Sequence, residues 1–89
     1  MTMTDDVDAL IAERKKTHGD FADKAELAQA LKSTIRSAPN WSRMTSVQRE
    51  GVEHIVDKLT RALVGDPGFK DHWDDIAGYA KRIAERCAG

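Results

Sequence analysis

The stretch TSVQREGVEHIVDKLTRALVG, residues 45–65, decides the architecture. Thr45 followed three residues later by Gln48 has the capping-box form: the hydroxyl accepts from a free backbone amide and the Gln side chain returns the bond. Behind it Val52, Ile55, Val56, Leu59 and Leu63 recur at three- and four-residue spacing and share one helical face, while Glu50, Glu53, His54, Asp57 and Arg61 fall on the other. Gly65 suits the position just past a helix, and Pro67 prevents continuation, so the spacing predicts one long amphipathic helix ending near Val64.

Downstream, the pattern predicts a helix from about Lys70 or Asp71 to Arg86. Trp73, Ile76, Ala77, Ala80, Ile83 and Ala84 make its core face; Asp71, Asp75, Gly78 and Arg82 lie opposite, with Asp74 and Tyr79 on the flanks. The connection, Gly65-Asp66-Pro67-Gly68-Phe69, is a short turn without the ending of a phosphate-binding loop, which makes the two helices an antiparallel hairpin. Upstream, Phe21, Ala25, Ala28, Leu31 and Ile35 share a face over about Phe21 to Ser37, with Asp20 as cap and Gly19 suited to a left-handed backbone. Pro39 closes that helix, and Trp41 and Met44 are placed to lid one end of the core. A first helix runs from a cap at Thr4 to about Lys16 with a narrow stripe of Val7, Leu10 and Ile11. The expected fold is all-α, four helices in a single domain over residues 1–89.

Eighty-nine residues lie at the small end of what sustains a core without disulfides or metals, so a homo-oligomer is expected. Fourteen basic against fifteen acidic residues remove the charge footprint of a duplex-binding protein, which argues against a nucleic-acid partner. No apolar run approaches the roughly 20 residues needed to span a bilayer, and no membrane role is expected. The lone Cys87 excludes an intramolecular disulfide, and the acidic start at Asp5 and Asp6 is unlike a secretory peptide, so the expected location is cytoplasmic.

Candidate chemistry lies in the acidic faces of the hairpin. Carboxylates at three- and four-residue spacing on facing helices supply the hard oxygen ligands that Mg²⁺ prefers. Antiparallel packing brings Asp57 and Arg61 toward Asp71 and Asp75, and Glu50 and Glu53 toward Gly78 and Arg82. A shared ion would therefore need an oblique crossing or long glutamate reach. From spacing, a metal site and two solvated faces both stay open.

Three stretches add a resemblance: Glu13-Arg14 with Thr17-His18-Gly19-Asp20-Phe21; Lys58-Leu59-Thr60-Arg61-Ala62-Leu63-Val64-Gly65-Asp66; and Asp71-His72-Trp73-Asp74-Asp75-Ile76-Ala77-Gly78-Tyr79. They resemble a family of small phage and prophage proteins that is similar in turn to the MazG-like nucleoside triphosphate pyrophosphohydrolases, all-α enzymes. The resemblance implies Mg²⁺ on Glu50, Glu53, Asp71 and Asp75, with Glu53 and Asp75 catalytic, and hydrolysis of a nucleoside triphosphate to monophosphate and pyrophosphate. Lys58, Arg61 and Tyr79 would meet the nucleotide. Glu50 and Glu53 match the family's first acidic pair; the second departs from it, since Asp71 and Asp74 keep the spacing but not the glutamate, and alignment on the apolar run makes Asp75 the final acid with His72 in the glutamate's place. That departure supports an alternative, a non-catalytic phage or prophage oligomer that binds a nucleotide signal or a host protein.

The remaining signals read as structure. His18, His54 and His72 are too scattered for a zinc motif and suit surface or helix-end packing, though His18 beside Asp20 could order the turn or approach a ligand. Trp41, Phe69 and Trp73 read as core or subunit contacts, and Arg14, Lys15 and Lys16 as a basic helix end.

Overall fold

A computed structural model of the chain describes residues 3–87. It contains α1 (Met3–His18), α2 (Phe21–Arg36), a single 3₁₀ turn (Trp41–Arg43), α3 (Ser46–Val64) and α4 (Lys70–Ala84), with no strand among the described residues. Helix α3 is the hub. It packs against α4 along one side and α2 along another, and only its end meets α1. The α3–α4 hairpin is antiparallel: Gly51 near the start of α3 faces Ile83 near the end of α4, and Lys58 meets Asp75 farther along.

The local signals act as the sequence predicts at most boundaries. The capping box is closed in both directions, Gln48 N–H donating to Thr45 Oγ1 at 3.1 Å and Thr45 N–H to Gln48 Oε1 at 2.9 Å. Gly19 takes φ +81° and Asp20 accepts from the Asp23 amide, so one chain reversal separates α1 from α2. One expectation changes: the first helix already includes Met3, which places Thr4 inside it and not at its cap. Gly65 ends α3 as expected, with φ −100°, and its glycine is required by proximity: a Cβ there would stand 2.3 Å from the Thr17 carbonyl oxygen and 2.7 Å from Gly19 N.

The enclosed part of the core is made of small residues. Ala28, Val56 and Ala62 are the buried apolar side chains among the described residues, joined by Thr60, His72 and Gly51. Of the larger apolar residues of α3, Val52, Ile55 and Leu59 are half-buried. Phe21, Leu63, Trp73, Ala77, Ala80 and Ala84 depart from their predicted core positions and are exposed. Phe21 is 76% exposed and Leu63 65%, and Trp73 is about half exposed with its indole donating to the Pro67 carbonyl at 2.7 Å. His72 departs in the opposite sense and is almost wholly buried. The chain is elongated, 54 × 25 × 25 Å, with a radius of gyration of 15.6 Å. A compact chain of this length would have about 12 Å.

Candidate functional site

The acidic face of α3 is covered in part: Glu53 and Asp57 lie against another helix, while Glu50 stays exposed. Helix α2 packs there and supplies a cation for each of two carboxylates. Arg36 donates to Glu53 Oε1 through both Nε, at 2.7 Å, and Nη2, while Lys32 Nζ lies 2.9 Å from Asp57. Asp75 pairs with Lys58 at 3.2 Å, Asp74 with Lys70 at 2.6 Å, and Glu50 with His54 at 3.0 Å one turn along its own helix. The Asp74 hydrogen bond raises the Lys70 pKa above its ordinary value. Asp71 is exposed at the start of α4.

Among the described residues no three His, Cys, Asp or Glu side chains gather to hold a metal ion. Mg²⁺ needs oxygens at about 2.1 Å in an octahedron, and the carboxylates expected to provide them are spread over separate contacts. In a single chain Glu50, Glu53 and Asp75 each have a different side-chain partner, and Asp71 is exposed. Lys58 is held by Asp75, and the Tyr79 ring stacks on His54 at 4.7 Å and 3°, with the Arg82 guanidinium 5.6 Å from its centre. Of the three residues expected to meet a nucleotide, Tyr79 borders an open groove of about 490 Å³ with Glu50, His54 and Arg82, and Arg61 borders a more enclosed cavity.

That cavity lies at the other end of α3, and the sequence builds it from the α1–α2 turn. The Thr17 carbonyl accepts from the Asp66 amide at 3.0 Å and from His72 Nε2 at 2.8 Å. A carbonyl can only accept, so His72 carries its proton on Nε2. Phe69 and His18 pack on the same buried ring, with centroids 5.0 Å and 5.1 Å from it. Together with the close seating of Gly19 on Val64 and Gly65, these contacts fix the turn against the α3–α4 junction. Glycines and a buried histidine thus hold the last turn of α1 and the first turn of α2 on either side of Arg61.

The cavity has a volume of about 370 Å³, with Arg14, Lys15, His18, Asp20, Lys24 and Arg61 around it and Ile11 and Phe21 as apolar walls. Lys15 and Asp20 approach to 3.9 Å and offset one another. Arg14, Lys24 and Arg61 form no ion pair with a described carboxylate; Lys24 rests over the Phe21 ring at 5.2 Å, and Arg61 Nε is buried without a hydrogen-bond partner. The electrostatic cost shows in the titrating groups. Burial lowers the Lys24 pKa, and Arg61, Lys58 and Arg14 lower it further against the opposing pull of Asp57. Burial also lowers that of His18, reinforced by Arg61, His72, Arg14 and Lys24. Like charges are held together around a concave space, an arrangement that an oxyanion relieves by accepting from guanidinium and ammonium donors.

Arg14 and Lys24 are the residues that sequence reasoning missed, Arg14 having been read as part of a basic helix end. Arg14 and His18 do stand four residues apart on one face of α1, but Lys24 and Arg61 join them only through tertiary packing. The resemblance had included Arg14, the His18–Phe21 turn and Arg61 without connecting them. Comparison with protein-family models, with curated proteins and with solved structures finds no match for this chain.

Proposed function

We propose that the protein binds a phosphorylated small molecule, a nucleotide being the class to which the sequence resemblance points, with its phosphates in the cavity of Arg14, His18, Lys24 and Arg61. The observation that carries this reading is the buried, unpartnered Arg61 Nε, beside Arg14 and Lys24, which form no ion pair among the described residues. A buried donor without an acceptor costs about 1–3 kcal/mol, and a phosphoryl oxygen removes that cost while neutralising the mutual repulsion of the three side chains. The cavity volume falls within the 300–1,000 Å³ or so typical of small-molecule sites. Ile11 and Phe21 offer an apolar wall to the uncharged part of the ligand.

Binding and turnover are separable here. Metal-assisted hydrolysis to a monophosphate and pyrophosphate is supported by the resemblance, whereas one chain's carboxylates are engaged with Arg36, Lys32 and Lys58. Calorimetric titration with adenosine, AMP, ADP and ATP, each with and without Mg²⁺, tests the reading. Affinity is expected to rise with each phosphate, and adenosine alone to give no saturable heat. Absence of saturable binding by every phosphorylated member would overturn it. Pyrophosphate release from ATP with Mg²⁺, above that of a Glu53→Gln variant, would add the hydrolytic activity to the binding one.

A further inference from the structure

We infer that α1 is the seam of a homodimer, in which two copies pair their first helices antiparallel and cover Val7, Leu10 and Ile11. The inference stands whatever the cavity binds. These three residues are 50%, 57% and 60% exposed, and every position from 5 to 16 is exposed. They follow one another at three- and four-residue spacing, so they form one stripe. Most helical stability in proteins comes from packing an apolar face. With only its last turn seated on the rest of the chain, α1 needs a cover.

The chain as a whole exposes more surface than a compact monomer would, enough to supply one side of a dimer interface. The chain exposes 6495 Å², whereas a folded monomer of its mass exposes about 5,200 Å². The excess of about 1,300 Å² exceeds the roughly 800 Å² that each partner contributes to a standard stable interface. The occupant is another copy because the enclosed core is so thin. Ala28, Val56 and Ala62 are its buried apolar side chains among the described residues. A fold with so little of its own needs a partner from synthesis onward, and a second copy is the partner always present.

Charge sets the direction. Helix α1 has Asp5 and Asp6 in its first turn and Lys15, Lys16 and His18 in its last. Antiparallel pairing opposes the two helix dipoles and lays each acidic end on a basic one; parallel pairing superimposes like on like. With Leu10 and Ile11 at the two-fold axis, Asp8 falls alongside Lys15 of the second copy. Ile11, Arg14 and His18 continue the stripe along the same face, and all three border the cavity. The second copy therefore stands beside the cavity mouth.

Sedimentation velocity of the full chain tests the dimer, with a species of twice 9.9 kDa expected at micromolar concentration; a 9.9 kDa species throughout would overturn it. Its placement is tested by cysteine cross-linking in a Cys87→Ser background. Leu10→Cys, next to the axis, is expected to give a disulfide-linked dimer at least tenfold more efficiently than Lys81→Cys on exposed α4. A dimer that cross-links at neither position, or equally at both, would overturn the α1 seam. Leu10→Asp is expected to halve the sedimenting mass, and the cross-linking result decides the matter if that variant does not fold.

Discussion

The two charged regions on α3 carry comparable numbers of ionisable groups but settle them differently. Toward the middle of the helix, each acidic side chain has found a cation: Glu53 has Arg36, Asp57 has Lys32, and Asp75 across the hairpin has Lys58. Near its end, Arg61 meets Arg14 and Lys24 around a cavity with a buried nitrogen left over. Paired charges have already gained what the protein can offer them, and a ligand would have to compete with that gain. Unpaired like charges held by a rigid turn are poised for one. Carboxylate spacing in a sequence reports neither condition, because it does not say what the neighbouring helix brings.

The comparison is broken most completely by moving the turn that builds the cationic end. Gly65→Ala would set a Cβ 2.3 Å from the Thr17 carbonyl oxygen, a backbone atom that cannot swing aside as a side chain can. Overpacking of this kind costs about 1–3 kcal/mol, and the upper part of that range is expected. Urea unfolding at fixed chain concentration should show the loss, accompanied by a loss of nucleotide affinity. A midpoint equal to that of the native chain would mean that the two glycine turns are not in contact.

Next in size is the removal of the unpaired charge itself. Arg61→Met keeps most of the stem but deletes the guanidinium, and charge-assisted hydrogen bonds contribute about 1.5–3 kcal/mol. At about 1.4 kcal/mol per tenfold, nucleotide affinity should fall roughly tenfold to a hundredfold. Without ligand, the same variant should unfold at an equal or higher temperature, since both a buried orphan donor and a source of repulsion are gone. Calorimetry and thermal unfolding read the two effects separately. Lower stability with unchanged affinity would make Arg61 a structural residue.

On the acidic side the expected pattern is reversed and smaller. Glu53→Gln weakens the contact with Arg36, a pair whose side chains are only partly buried. Such pairs contribute about 0.2–1 kcal/mol, so a small drop in unfolding free energy is expected, with nucleotide affinity within about twofold of the native value. A tenfold loss of affinity would return Glu53 to the ligand site.

The helices were legible because their signals are local. The Thr45–Gln48 capping box, the Asp20 cap, the left-handed Gly19 and the break at Pro67 each act within a few residues, and all take the predicted form. What surrounds α3 was not legible. Its face of Glu53 and Asp57 is polar in sequence whether it meets water, a metal or the lysine and arginine of α2. His72 was hidden for a related reason: its burial depends on the Thr17 carbonyl, fifty-five positions away. The exposure of Phe21 and Leu63 runs the other way, since a periodic apolar stripe announces that a face will be covered without saying by which chain.

The finest probe of the contrast is His18, which lies at the cavity while His54 lies on the acidic side. Its pKa is lowered from 6.5, by burial first and then by Arg61, His72, Arg14 and Lys24. The folded chain therefore holds less proton at this ring than the unfolded chain does. This contribution is harmless above pH 6.5 and erodes stability as pH falls through that value toward the lowered folded pKa. An oxyanion reverses the sign of the local field and favours the imidazolium, so its affinity should rise as the solution is acidified across the same window. Sulfate suits the test, because it stays dianionic there while phosphate does not. Ring-proton NMR should place the His18 midpoint below 6.5 without sulfate and move it upward with sulfate, leaving the His54 signals in place at fixed pH. In Arg61→Met the sulfate-free midpoint should start higher and move less. A midpoint that ignores sulfate in the native chain would detach His18 from the cavity and leave the anion to Arg14, Lys24 and Arg61 alone.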